Sequence, residues 1–133
     1  MELVRILVDF GLVVLIWLVQ LCIYPAFTYF EEKDLQKWHA TYTWRITLVV
    51  LPLMFTQLLV SIYQLFIDVD SFTLSYFLLV LLTWILTFTI YVPLHKKIDT
   101  QKNKILTSSK LVSLNWLRVF LWMLIFLLNF LKK

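Results

Sequence analysis

The sequence predicts an all-α integral membrane protein, a four-helix bundle of up-down-up-down connectivity. Three observations carry this. Of the 133 residues, 62% are hydrophobic and 15% charged, and the mean hydropathy is +0.86; a soluble domain is only about half apolar. The apolar residues gather into four stretches close to the ~20 residues that cross ~30 Å of hydrocarbon as a helix. One glycine and three prolines leave those stretches nearly unbroken. A closed barrel is the other architecture that satisfies the backbone in lipid, but its short alternating strands are not visible.

The first span covers residues 4–24. It is too long for the apolar core of a signal peptide and lacks a small-residue cleavage site, so it reads as a retained helix. The second, third and fourth spans cover residues 46–66, 72–92 and 111–131, within one transmembrane domain over 1–133. Only Asp68-Val69-Asp70-Ser71 joins spans two and three. That is a tight helical hairpin in which Asp70 or Ser71 is suited to cap the third helix. The stretch before span two has few breakers, so this helix is expected to begin outside the membrane near Asp34. The link between spans three and four is rich in lysine.

Charge sets the orientation. The links 25–45 and 95–110 carry Lys33, Lys37, Arg45, Lys96, Lys97, Lys102, Lys104 and Lys110, against Arg5, Lys132 and Lys133 on the other side. Lysine and arginine concentrate on the cytoplasmic side. Both links are therefore expected in the cytoplasm and both termini away from it, in the cell's inner (plasma) membrane. Topology thus accounts for the formal charge of +4, and nucleic acid is not an expected partner. The single cysteine, Cys22, excludes an intrachain disulfide and any Cys/His zinc spacing. It lies near the end of an apolar run and reads as a small buried residue. The preceding Val19-Gln20-Leu21 lacks the small residue of a lipoprotein cleavage site.

Ionisable groups inside hydrocarbon are costly and usually face the bundle interior or an aqueous cavity. Arg118 is the deepest cation. Asn115 and Trp122 stand three before and four after it, on the same helical face. Either Arg118 snorkels to the interface, or it binds an anion or a carbonyl, held there by Asn115. Trp38, Tyr42, Arg45, Val49 and Pro52 form a stripe on span two, where Arg45 can equally serve as an interfacial anchor. Trp84, Phe88, Tyr91 and His95 form another on span three. The only histidines, His39 and His95, fall on one membrane side, where they can move protons, ligate haem or a metal, or simply be hydrogen-bonded locally. Gln20, Gln57, Gln64, Thr83, Thr87 and Thr89 read as interhelical hydrogen-bonding groups, and Arg5 with Asp9 as a local helix pair. Tyr24-Pro25 closes span one at the level of the histidines, and Trp116 lies beside Asn115. The polar and aromatic residues thus converge on the cytoplasmic half, and the hairpin end reads as plain packing.

Tyr91-Val92-Pro93-Leu94-His95, followed by Asn115-Trp116-Leu117-Arg118, resembles the paired signature of the anthrone oxygenase-like four-helix membrane proteins. Tyr24-Pro25 and the Trp38-His39…Arg45 region resemble a bacterial branch of that group. The similarity covers residues 24–122, with His95 where the family carries asparagine. The resemblance implies a four-helix bundle and, for some members, oxidation of a polyketide anthrone to a quinone; most members are of unknown function.

No nucleophile triad, phosphate loop or carboxylate pair is visible, and a lone Gly11 excludes glycine-rich cofactor loops. The sequence requires no cofactor. The favoured function is binding of a small amphipathic, quinone-like or aromatic ligand at the cytoplasmic end, in an oxidoreductase or oxygenase. Arg118 with Asn115 would steady a developing oxyanion, and His95 or His39 would move a proton. Tyr24, Trp38, Arg45, Tyr91, Trp116 and Trp122 would line the pocket. One alternative is a non-enzymatic subunit or assembly factor bound to a membrane-protein partner or to a second copy of itself. Another is a haem or metal protein ligated by His39 and His95.

Overall fold

The computed structural model describes residues 1–100 and 104–131. Lys102, Lys132 and Lys133, counted above for orientation, lie outside the described residues, as does the side chain of Lys104. Four helices are long and apolar enough to cross a membrane, the architecture of a multi-pass membrane protein. They are α1 (Glu2–Tyr29), α2 (Glu32–Ile67), α3 (Ser71–Thr100) and α4 (Lys104–Leu128). The described residues contain no strand. α1 packs on α2 and α4, and α3 packs on the same two helices, closing a four-helix ring.

The helices are apolar all round, so burial cannot be decided by hydrophobicity. Lipid is as apolar as leucine; packing and polar contacts choose the interface. Leu7, Phe10 and Leu18 of α1, Phe55 and Leu59 of α2, and Phe120 and Leu127 of α4 are exposed, as expected of lipid-facing positions. Leu12, Ile16, Met54, Val80, Trp122 and Ile125 fill the centre. The polar residues within the spans go inward with them: Arg5, Asp9, Gln20, Gln57, Asn115 and Arg118 are all buried.

Two interruptions shape the end of the bundle that carries both histidines. α1 widens into a π-helical turn at Val19–Ile23, and α3 does so at Thr87–Tyr91. Each lies just ahead of a proline, Pro25 or Pro93. A proline ring clashes with the carbonyl four residues back, here Leu21 or Thr89, and the wider turn carries that carbonyl aside. In both helices the residue before the proline donates its N–H five residues back, from Tyr24 to Val19 and from Val92 to Thr87. Such bulges rotate the following side chains and recur at functional sites. Cys22, expected to be buried, is exposed. The extra residue in the turn sends Leu21 and Cys22 outward while Gln20 and Tyr24 stay buried.

α2 is longer than its apolar span. It starts at Glu32 and runs unbroken through Pro52 for 36 residues, about 54 Å at ~1.5 Å per residue. Its first turns therefore project past the hydrocarbon and carry His39 to the level of the end of α3. At the other end Asp70 caps α3: its carboxylate accepts from Thr73 N at 2.6 Å, and its own N–H donates to Thr73 Oγ1 at 3.0 Å.

The hairpin end is not plain packing. Asp9 Oδ1 accepts from Gln57 Nε2 at 2.7 Å and from Tyr76 Oη at 2.8 Å, and its Oδ2 accepts from Asn129 Nδ2 at 2.8 Å. Arg5 donates from Nε to Asn129 Oδ1 at 2.6 Å and from Nη1 to Gln64 Oε1 at 3.0 Å, with its guanidinium 4.7 Å from the Phe72 ring centroid. Arg5 and Asp9 are thus joined through Asn129, in the turn that follows α4, rather than as a local pair. The geometry favours this because two groups facing the bundle centre can each reach three other helices. The threonines also depart from expectation. Thr83, Thr87 and Thr89 donate to Val80, Thr83 and Ile85 carbonyls of their own helix, since a hydroxyl in lipid finds the carbonyl one turn back without a partner helix.

Candidate functional site

The C-terminal end of α3 presents Tyr91, His95 and Asp99 on one face, four residues apart. α2 brings His39 opposite them and α1 brings Tyr24, turned inward by its π-helical turn. The result is a continuous hydrogen-bonded chain. Asp99 Oδ1 lies 2.7 Å from His39 Nδ1, His39 Nε2 lies 2.8 Å from His95 Nδ1, and His95 Nε2 lies 3.0 Å from the Tyr24 hydroxyl. One proton arrangement satisfies every member with Asp99 ionised. Tyr24 O–H donates to His95 Nε2, His95 Nδ1–H donates to His39 Nε2, and His39 Nδ1–H donates to the carboxylate. The bond to Asp99 is charge-assisted and so stronger than a neutral one.

The chain is sheltered along its middle. His39 has no exposed surface. Phe27 packs edge-on to its ring at 5.5 Å, and Tyr42 packs beside both, 5.6 Å from Phe27 and 6.2 Å from His39. Its ends differ. The Asp99 side chain is 37% exposed, whereas Tyr24 is buried and lines an internal cleft.

That cleft has a volume of about 320 Å³ and lies mainly between α2 and α3. Its walls are apolar, from Ile46, Val50 and Met54 on one side to Trp84 and Phe88 on the other. Leu51 and Phe88, both exposed, form its outer rim, so it opens sideways towards lipid. Tyr24, His95, Asp99 and Arg118 supply its polar end.

Arg118 is buried without an ionic partner among the described residues. It is 9% exposed, with its guanidinium 4.1 Å from the Tyr91 ring centroid and 5.4 Å from that of Trp122. Tyr91 is held for this contact by its hydroxyl, which donates to the Leu114 carbonyl at 2.8 Å. The guanidinium charge also reaches the Tyr24 and Tyr42 hydroxyls. No carboxylate lies within ion-pair distance among the described residues, and Nε has no hydrogen-bond partner there. A desolvated cation–π contact stabilises by about 2 kcal/mol, while removing the ion from water costs several kcal/mol and an orphaned donor about 1–3 kcal/mol more. The two rings do not close that balance. The Trp84 indole N–H, on the cleft wall, is likewise without a partner among the described residues.

The candidate residues separate accordingly. Tyr24, His39, His95, Tyr91, Arg118 and Trp122 come together. Trp38, 39% exposed, stacks on Tyr42 at 5.0 Å and backs the cluster from outside. Arg45 is exposed on the outer face of α2. Trp116 faces outward as well, edge-on to Trp17 at 5.7 Å. Asn115 turns to α1 rather than to Arg118: its amide donates to Gln20 Oε1 at 2.8 Å, and Gln20 donates to the Val112 carbonyl. Asp99 completes the chain although nothing about it stood out except its place four residues after His95. All four ring nitrogens of the two histidines are engaged, two of them with each other, which leaves no lone pair for haem iron or a metal without breaking the chain. No group of three or more His, Cys, Asp or Glu residues suited to a metal occurs among the described residues. No protein-family model, curated protein or solved structure matches the chain.

Proposed function

We propose that the protein binds a lipid-soluble, amphipathic molecule of quinone-like or aromatic kind in the cleft between α2 and α3. It exchanges a proton with that molecule through Tyr24, His95, His39 and Asp99. One observation carries the reading: at the polar end of a cleft open to lipid, a hydrogen-bonded chain links the buried Tyr24 hydroxyl to the partly exposed Asp99 carboxylate. A local structural role for the histidines needs neither end. Apolar walls with a few converging polar groups are the usual character of a small-molecule site. The lysine-rich links favour the cytoplasm as the side to which Asp99 delivers or from which it draws the proton, in the plasma membrane.

An oxidoreductase or oxygenase acting on such a ring needs this kind of proton exchange, with Arg118 steadying negative charge on the ligand oxygen. The resemblance to the anthrone oxygenase-like membrane proteins points to a phenolic or quinonoid ring as the ligand. The test is to purify the protein in mild detergent and identify co-extracted lipid-soluble molecules by mass spectrometry. The same compound should be depleted in Arg118→Ala and in His95→Ala, with both variants eluting as folded protein. Equal retention in native protein and both variants counts against this site.

A further inference from the structure

Arg118 has a positive charge that the protein does not balance. It is buried, it lies over Tyr91 and Trp122, its Nε is unpartnered, and no carboxylate is within ion-pair distance among the described residues. The opposite end of the bundle shows the contrast. There Arg5 is buried beside an acid in the same network, with Asn129 and Gln64 accepting from it. A guanidinium presents a fork of donors suited to a carboxylate or phenolate oxygen, and this one stands at the polar end of a lipid-open cleft. An uncharged ligand would leave the charge uncompensated.

We infer that the occupant of the cleft is a lipid-soluble weak acid, held as its anion by Arg118. This rests on the reading of the cleft as an amphiphile site and specifies the headgroup. The two halves of the site then explain each other. A carboxylic acid or phenol crosses lipid as the neutral molecule and enters between Leu51 and Phe88. Its O–H bond breaks at the Tyr24 oxygen. Tyr24 passes its own proton to His95 Nε2, His95 passes the Nδ1 proton to His39 Nε2, and His39 passes its Nδ1 proton to the Asp99 carboxylate, which releases it to water. One proton leaves the ligand and one reaches Asp99. The ligand anion stays against Arg118, and no electron is transferred. The ionisable groups around this point are Tyr24 from α1, His39 and Tyr42 from α2, Tyr91, His95, Lys96 and Asp99 from α3, and Arg118 itself on α4. Among them Asp99 is the only acid, and it is committed to His39.

The experiment compares matched acid and neutral amphiphiles by quenching of tryptophan fluorescence, since Trp84 lines the cleft. Purified protein in non-ionic micelles is titrated with dodecanoic acid against dodecanol, and with a hydroxynaphthoquinone against its methyl ether. The acid of at least one pair should bind about tenfold or more tightly than its neutral partner, and Arg118→Gln should remove that preference, as expected for loss of a buried charge partner. Arg118→Lys, which keeps the charge, should preserve it. The pair that shows the preference identifies the source, fatty acid or phenol; preference in both supports a general weak-acid site. Equal binding of acid and neutral partner in the native protein overturns the inference while leaving the amphiphile site standing. Preference that survives Arg118→Gln overturns it as well. Failure of all four probes to bind overturns both readings. If Arg118→Gln does not fold, the comparison on native protein still decides.

Discussion

Asp99 gives the histidine chain its direction. Its carboxylate accepts from His39 Nδ1 at 2.7 Å, which sets the tautomer of His39, and that in turn sets His95. Asp99→Asn retains a carbonyl for the same bond but removes the proton acceptor. Proton release on ligand binding, followed with a pH indicator, should slow by about 10²-fold. Binding followed by tryptophan fluorescence should stay within about threefold, since Arg118 and the apolar walls are untouched and asparagine keeps nearly the shape of the aspartate. A parallel loss of both would make Asp99 a structural residue. The histidines were visible in the sequence as the only two in the chain, and Arg118 as the deepest cation. Asp99 was not visible in the same way. It is an acid in a lysine-rich link, and its meaning depends on α2 reaching far enough past the membrane to bring His39 beside it. The four-residue step from His95 to Asp99 was the available signal.

The helices themselves follow from composition, because four long apolar stretches in a chain this short leave little choice. Their irregularities do not. Pro25 and Pro93 could each have kinked a helix or ended it. Both are accommodated by a π-helical turn, and these turns aim Tyr24 and Tyr91 at Arg118 and His95. Pro93→Ala tests this. Alanine favours a helix interior by about 3 kcal/mol over proline, so thermal unfolding in detergent should shift upward or stay level. If the turn relaxes to an ordinary helix, the segment beyond it rotates by about 100° relative to the segment before it. Ligand retention should then fall by about tenfold or more. Gain of stability together with loss of binding is the expected signature. Unchanged binding would mean that the π-helical turn does not depend on its proline.

The whole bundle has two polar centres, and sequence pattern revealed one. The end with His39 and His95 drew attention through rare residue types. At the other end, Gln57 was legible only as an interhelical hydrogen-bonding group, Tyr76 and Asn129 were unremarked, and the three are brought together around Asp9 from α2, α3 and the turn after α4. Only the tertiary arrangement joins them. This centre holds all four helices, so its removal should be felt globally. Asp9→Leu or Arg5→Leu alone leaves a buried charge with its counter-charge gone and should cost about 3 kcal/mol or more. The double variant should cost clearly less than the sum, because replacing both charges by apolar groups is far milder than stranding one. Thermal unfolding of the four proteins measures the coupling, and strict additivity would mean that Arg5 and Asp9 act independently.

The contact between Asp9 and Asn129 also has a timetable. The two residues stand 120 positions apart, and synthesis at about 5–20 residues per second separates their appearance by roughly 6–24 s. Until that interval ends α1 occupies the membrane with an arginine and an aspartate whose shared partner, Asn129, does not yet exist. Each such group is tolerated only at a cost in lipid. Commitment of the first helix to its final position therefore awaits synthesis through Asn129, which makes arrival of the fourth helix a checkpoint for insertion of the first. Truncation ahead of Asn129 would leave a nascent protein whose first segment is poorly anchored and open to removal by membrane quality control.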